Sequence, residues 1–190
     1  AVLRDPATGL ISQALVNDFN LAQLKQTGFD VGVRYEFDAP QGFGESFAVS
    51  YQGNIVTDQS RQNNVTVPAL DCKGTFGTSC TGDFASILQA DYRHRANIDW
   101  YSGGINVQLS WRRVGEVTNI LDSSDTISSQ DYIDLAVAWD ISDGYTLTLG
   151  VDNVFDEEPP LPSSNGNLFG TVSDYDVIGT TVGASIRVRY

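Results

Sequence analysis

The sequence predicts an all-β fold, specifically the antiparallel wall of a transmembrane β-barrel. Seven segments alternate apolar and polar residues with period two, and each has roughly the 9–11 residues that a tilted strand needs to cross hydrocarbon. The connections between them alternate between tight turns and long polar stretches, the asymmetry that outer-membrane barrels show between periplasmic turns and extracellular loops. No run of roughly eighteen apolar residues occurs, so a chain of this composition crosses a membrane by strands or not at all.

The strands follow in order. Phe29, Val31, Val33, Tyr35 and Phe37 face one way, against Asp30, Gly32, Arg34 and Glu36. Phe47, Val49, Tyr51, Gly53 and Ile55 then oppose Ser46, Ala48, Ser50, Gln52 and Asn54. The third strand sets His94, Ala96, Ile98 and Trp100 against Arg95, Asn97, Asp99 and Tyr101; the fourth sets Ile105, Val107, Leu109 and Trp111 against Asn106, Gln108, Ser110 and Arg112. Ile133, Leu135, Val137 and Trp139 define the fifth, with Tyr132, Asp134, Ala136 and Asp140 behind them. The sixth carries Tyr145, Leu147, Leu149 and Val151 over Thr146, Thr148, Gly150 and Asp152. The seventh spans Thr180–Tyr190, with Val182, Ala184, Ile186, Val188 and the terminal Tyr190 opposite Gly183, Ser185, Arg187 and Arg189. Because only every second residue faces lipid, the polar half cancels the apolar half in any average, and a neutral mean hydropathy does not exclude a bilayer.

The turns are Asp38–Gly44, Ser102–Gly104 and Ser142–Gly144; the long loops lie near 57–90, 115–130 and 155–178. In that topology the C-terminus is periplasmic and the long loops are extracellular. Phe37, Trp100, Trp139, Tyr145 and Tyr190 then form an aromatic girdle at the periplasmic rim. Seven strands are an odd number, and single-chain bacterial barrels close with an even one, so the 190 residues are expected to be one portion of a larger barrel domain. Residues 1–20 read as an extracellular loop hairpin turning at Asp5–Gly9, and 21–190 as the seven strands.

Net charge −13 argues against nucleic-acid binding, which needs a concentration of Lys and Arg. Cys72 and Cys80 are separated by seven residues of a turn-rich stretch, so a local disulfide in an extracellular loop is expected, and with it an oxidising compartment. A zinc site is disfavoured because the sole histidine, His94, has no further ligands nearby in sequence. His94 has no spaced nucleophile or orienter either, so no catalytic residue is assigned and an interfacial or solvent-exposed ring is expected. Asp122, Asp125, Asp156, Glu157 and Glu158 lack the alternate-ligand spacing of an EF-hand and read as solvated loop residues rather than calcium ligands; no cofactor is assigned. Arg34, Arg95, Arg112, Arg187 and Arg189 are expected to face the lumen and pair across strands with Asp30, Glu36, Asp99, Asp134 and Asp152.

Two stretches carry a resemblance: Leu149-Gly-Val-Asp-Asn-Val-Phe-Asp-Glu-Glu-Pro-Pro160 and Tyr175-Asp-Val-Ile-Gly-Thr-Thr-Val-Gly-Ala-Ser-Ile-Arg-Val-Arg-Tyr190. They resemble the end of TonB-dependent outer-membrane receptors, with Asn153, Phe155, Asp156, Pro159 and Pro160 matching the element after the penultimate strand. Tyr175, Asp176, Gly179 and Tyr190 match the element that opens and ends the closing strand. Leu24–Asp30, Tyr92–Asn97 and Leu109–Gly115 look like the family's recurrent strand starts and ends. The resemblance implies that these are the last seven strands of a twenty-two-stranded barrel, whose N-terminal plug, absent from this sequence, contacts the TonB complex. It further implies a place in the outer membrane of a Gram-negative bacterium among outer-membrane lipid and lipopolysaccharide. The implied activity is uptake of a scarce nutrient: a ferric siderophore, cobalamin or an oligosaccharide. On the residues themselves the motif reads as a device for leaving the sheet, since Pro159 and Pro160 cannot donate to a ladder. Two alternatives stay open: a small self-contained barrel with a structural or adhesive role, drawing an eighth strand from residues 8–24, and a soluble β-sandwich binding module.

Overall fold

The computed structural model describes residues 2–14, 23–81, 90–160 and 175–189. Its elements in chain order are β1 (Val2–Arg4), β2 (Ile11–Ala14), β3 (Gln23–Asp38), β4 (Ser46–Gln62), β5 (Leu70–Asp71), β6 (Thr75–Phe76) and a single helical turn, α1 (Thr78–Thr81). There follow β7 (Tyr92–Ser102), β8 (Ile105–Val114), β9 (Val117–Asn119), β10 (Thr126–Ile127), β11 (Gln130–Ser142), β12 (Tyr145–Asp152) and β13 (Thr181–Val188). The seven long strands form one antiparallel meander in the order β13-β12-β11-β8-β7-β4-β3, with the short β5 added on β4. An all-β, antiparallel fold is what the alternation calls for, and the pairing follows chain order throughout. The sheet is not closed: among the described residues β3 and β13 each have one neighbour.

Register carries the alternation across the whole sheet. One row runs Tyr35–Val49–Ile98–Leu109–Leu135–Val151–Val182, and the next runs Phe37–Phe47–Trp100–Val107–Val137–Leu149–Ala184, every step a direct cross-strand pair. A slip of one residue in any strand would throw its apolar set to the other side. The tight turns hold that register. Gly103 and Gly104, both at positive φ (55° and 79°), make the two-residue turn between β7 and β8, the mirror-image turn whose twist matches flanking strands.

The two faces differ in a way opposite to a soluble sheet. On the apolar face Val33 is 59% exposed, Ile98 46% and Leu149 48%; on the polar face Ala48 is 2%, Asp99 9% and Ser110 6%. At these positions of the sheet the apolar side chains lie open and the polar face is the more covered one; the outer strands β3 and β13 are exposed on both faces. The hairpin of β1 and β2 stands apart from this sheet; its turn is closed by the Asp5 carboxylate, which accepts from the backbone N–H groups of Ala7 and Thr8 at 2.7 and 3.0 Å.

The conventional core lies among the loops. β6 pairs in parallel with β9, and β9 antiparallel with β10, so the loop after β4 and the loop after β8 are knitted into a second, three-stranded sheet. Phe76, Val117, Ile127, Tyr132 and Tyr175 pack there with Ala90 and Val114. The expectation of long polar solvated loops is corrected at this point: buried apolar side chains, sparse in sequence and drawn from three separate loops, give them a core of their own. Residues 82–89 and 161–174 of those loops, and Tyr190 of the girdle, lie outside the described residues.

Candidate functional site

The expected disulfide is formed: Cys72 and Cys80 are bonded, with their Cα atoms 5.7 Å apart. Both are buried, beside β6, where the Thr75 hydroxyl also donates to the Cys72 carbonyl at 2.8 Å. The bond therefore pins the loop that contributes Phe76 to the loop core. Closing so short a loop contributes about 2–3 kcal/mol through the unfolded chain.

The residues of the terminal motifs come together at the end of β12. Asn153 is fully buried and left-handed (φ 53°), a conformation Asn tolerates better than other side-chain-bearing residues. Its side-chain amide holds Glu157 at both ends: Oδ1 accepts the Glu157 N–H and Nδ2 donates to the Glu157 carbonyl, each at 2.9 Å. The Asn153 carbonyl accepts from the Asp156 N–H at 3.0 Å and from the Thr180 hydroxyl at 2.7 Å, while the Asp156 carboxylate accepts the Thr180 N–H at 2.9 Å. Gly179 (φ 76°) is required where these chains cross, since a Cβ there would stand 2.5 Å from Asp156 Oδ1. The ladder thus ends at Asp152, and β13 starts at Thr181 directly opposite it, though the chain takes a long detour between them. Pro159 and Pro160 continue outward half-buried, and Phe155 is exposed.

A second network joins that knot to the sheet wall. Arg112 on β8 forks onto Asp134 of β11 (Nε to Oδ2 at 2.8 Å, Nη2 to Oδ1 at 3.1 Å) and onto Asp176 (Nη2 to Oδ2 at 2.6 Å). Its guanidinium lies 5.0 Å from the centroid of the Tyr132 ring, and Tyr132 Oη accepts from the Asp176 N–H at 3.4 Å. Asp134 Oδ1 also accepts the Asn153 N–H at 3.0 Å, so Arg112, Asp134 and Asn153 form one continuous chain of bonds from wall to loop exit. Sequence spacing gives the Arg112–Asp134 pair, because both lie on the polar face of strands that become neighbours. The link to Asp176, 64 residues away, and the part of Thr180 carry no local signal.

Other expected sites fall out differently. Arg34 bonds Glu36 on its own strand instead of reaching across, at 3.0 Å through Nε, and Asp30 accepts from Asn54 across the pair at 2.7 Å. Arg187 lies directly opposite Thr146 and makes no ion pair among the described residues, and neither does Arg189. Asp125, expected in solvent, is 3% exposed and receives the Asn119 amide at 3.1 Å; Asp122 stays at the surface, where the Ser124 hydroxyl and N–H hold its carboxyl below the usual carboxylate range. No three acidic, His or Cys residues among those described are grouped to share an ion.

His94 is not solvent-exposed. It is 8% exposed on the apolar face, edge-on to Trp111 at 4.3 Å between centroids and flanked by Tyr51 and Tyr92, whose hydroxyls meet at 2.9 Å. Gly53 makes the room, since a Cβ there would meet the Tyr51 ring. Trp111 donates to Asp131 at 2.7 Å, and Asp131 also takes Arg113. Neither ring nitrogen of His94 has a hydrogen-bond partner among the described residues. Tyr51, Tyr92 and Trp111 form an aromatic belt at the long-loop end of the sheet, opposite the one at Phe37, Phe47 and Trp100. The sequence carried these aromatics, Tyr51 within β4 and Tyr92 and Trp111 near the long-loop ends of β7 and β8, but not their role in covering His94.

Between the Arg112 network and the start of β13 lies a cleft of about 460 Å³ on the polar face. Arg95, Asp152 and the turn from Tyr175 to Gly179 complete its walls. No family model, curated protein or solved structure matches this chain.

Proposed function

We propose that this chain is the C-terminal part of the barrel of a TonB-dependent transporter in the outer membrane of a Gram-negative bacterium. The observation that carries the reading is the inverted exposure of the main sheet. An open, seven-stranded face of Phe, Val, Leu, Ile, Trp and Tyr far exceeds the few hundred Å² that soluble monomers leave uncovered, and hydrocarbon is the solvent it suits. The dimensions agree. β7 has 11 residues, about 33 Å along the strand at ~3.3 Å per residue, and about 25 Å of height at the ~40° tilt of barrels, close to the apolar band of such proteins. Aromatic belts at both ends of that band fit the two interfaces.

The unpaired edges of β3 and β13 favour a larger barrel over a self-contained one. In hydrocarbon each unsatisfied backbone group costs several kcal/mol, so both edges need strands, and β2 is occupied with β1. A β-sandwich would need a second sheet over the apolar face, and the described residues supply none. The C-terminal motifs are the support for transport as such: a plug elsewhere in the protein, contacted by TonB, would couple energy to uptake of a ferric siderophore, cobalamin or an oligosaccharide. Lipopolysaccharide and outer-membrane lipid would be the sheet's neighbours, and the disulfide fits the oxidising cell surface.

Uptake of labelled ferric siderophores, cobalamin and oligosaccharides by cells with and without the encoding gene tests this. One class should be lost with the gene, and lost equally when the TonB complex is disabled. Uptake of all three unchanged by the deletion, or a lost class that does not need TonB, contradicts the reading.

A further inference from the structure

We infer that the cleft on the polar face binds a small ligand bearing an oxyanion, with Arg95 as the residue that holds the charged group. Arg95 on β7 stands directly across from Arg112 on β8, with Gln52 of β4 on its other side. Like charges directly opposite on a sheet repel, and such a pair persists when each finds a counter-charge. Arg112 has two, Asp134 and Asp176. Among the described residues the side chain of Arg95, a wall of the cleft, makes no hydrogen bond and no ion pair; the counter-charge whose field reaches it is the Asp134 carboxylate, already forked by Arg112.

Net charge does not decide the ligand, since the lining holds two guanidiniums and three carboxylates. The hydrogen-bond inventory does. Asp134 accepts from Arg112 and the Asn153 N–H, Asp176 accepts from Arg112 through both oxygens, and Asp152 accepts the Thr181 hydroxyl at 3.3 Å. Apart from the second oxygen of Asp152 these acceptors are engaged among the described residues, and the donors left over are the fork of Arg95, whose planar geometry matches a carboxylate or phosphate. At the mouth stand Val177 and Ile178, 55% and 83% exposed, which offer an apolar surface to the rest of the ligand. The ligand class is therefore an amphiphilic oxyanion, small enough for about 460 Å³.

This assignment depends on the polar face alone: binding without uptake leaves it standing, and uptake without such binding removes it. Naphthoate, a carboxylate on an apolar ring, is the probe, with neutral naphthamide as its control, in dialysis against the purified full chain kept in detergent with its disulfide intact. Naphthoate should bind saturably and naphthamide should not compete. Arg95→Gln should weaken binding about tenfold or more, the scale of one charge-assisted hydrogen bond, with Arg95→Lys in between and Arg187→Gln like the parent. Absence of saturable binding, equal competition by naphthamide, or equal affinity in Arg95→Gln overturns the inference. Because the Arg95 side chain is exposed and makes no hydrogen bond among the described residues, its substitution should leave the sheet intact, which circular dichroism of each variant checks.

Discussion

At the scale of single residues, Asn153 concentrates more of the structure than any other position. It ends β12, turns the chain through a left-handed backbone, fastens Glu157 with both ends of its amide, and receives Thr180 from the far side of the last loop. Asn153→Ala should therefore destabilise by about 2–4 kcal/mol, from two lost buried bonds and a Cβ-bearing residue less tolerant of positive φ. Asn153→Gly should cost less than Ala, since glycine keeps the backbone and loses only the bonds. Denaturant midpoints of the two variants in detergent measure the order; equal midpoints for Ala, Gly and the parent would show that the knot carries no stability. The sequence makes Asn153, Asp156 and the prolines conspicuous because they interrupt an alternation. It does not reveal that the partner of Asn153 is Thr180, because a contact across a 27-residue gap leaves no periodic trace. His94 escaped for a related reason: period two puts it on the apolar face, but only packing encloses it with Tyr51, Tyr92 and Trp111.

At the scale of elements, strands were legible and loops were not. A period of two survives in every strand of the meander because each has one apolar and one polar environment, and the environment acts on every residue in turn. β6, β9 and β10 are two or three residues long, too short for a period, and exist because loops distant in sequence pair with one another. The faces make a sharp prediction at Val137 and Leu149, which are direct cross-strand partners near the middle of β11 and β12. Arg at either should cost insertion about 2–4 kcal/mol, and Arg at their neighbours Ala136 or Thr148 much less, because that side is polar. Folding yields into lipid vesicles, titrated with denaturant, give the comparison; the same penalty on both faces would mean that neither is in hydrocarbon.

At the scale of the whole molecule, the main sheet is built outside-in. Its polar side holds the bonded charges, its other side holds the apolar side chains, and its two edges lack partners among the described residues. Composition hinted at none of this, because a sheet with one apolar and one polar face averages to an ordinary hydropathy. Site-directed spin labels or fluorophores at alternating positions of β7, β8 and β11 test the central claim most directly, with the protein in bilayers and one quencher confined to lipid, another to water. Labels at Ile98, Leu109 and Val137 should answer to the lipid quencher, and labels at Asn97, Gln108 and Ala136 to the aqueous one. A pattern without alternation, or water access on both faces, would contradict a membrane-embedded sheet.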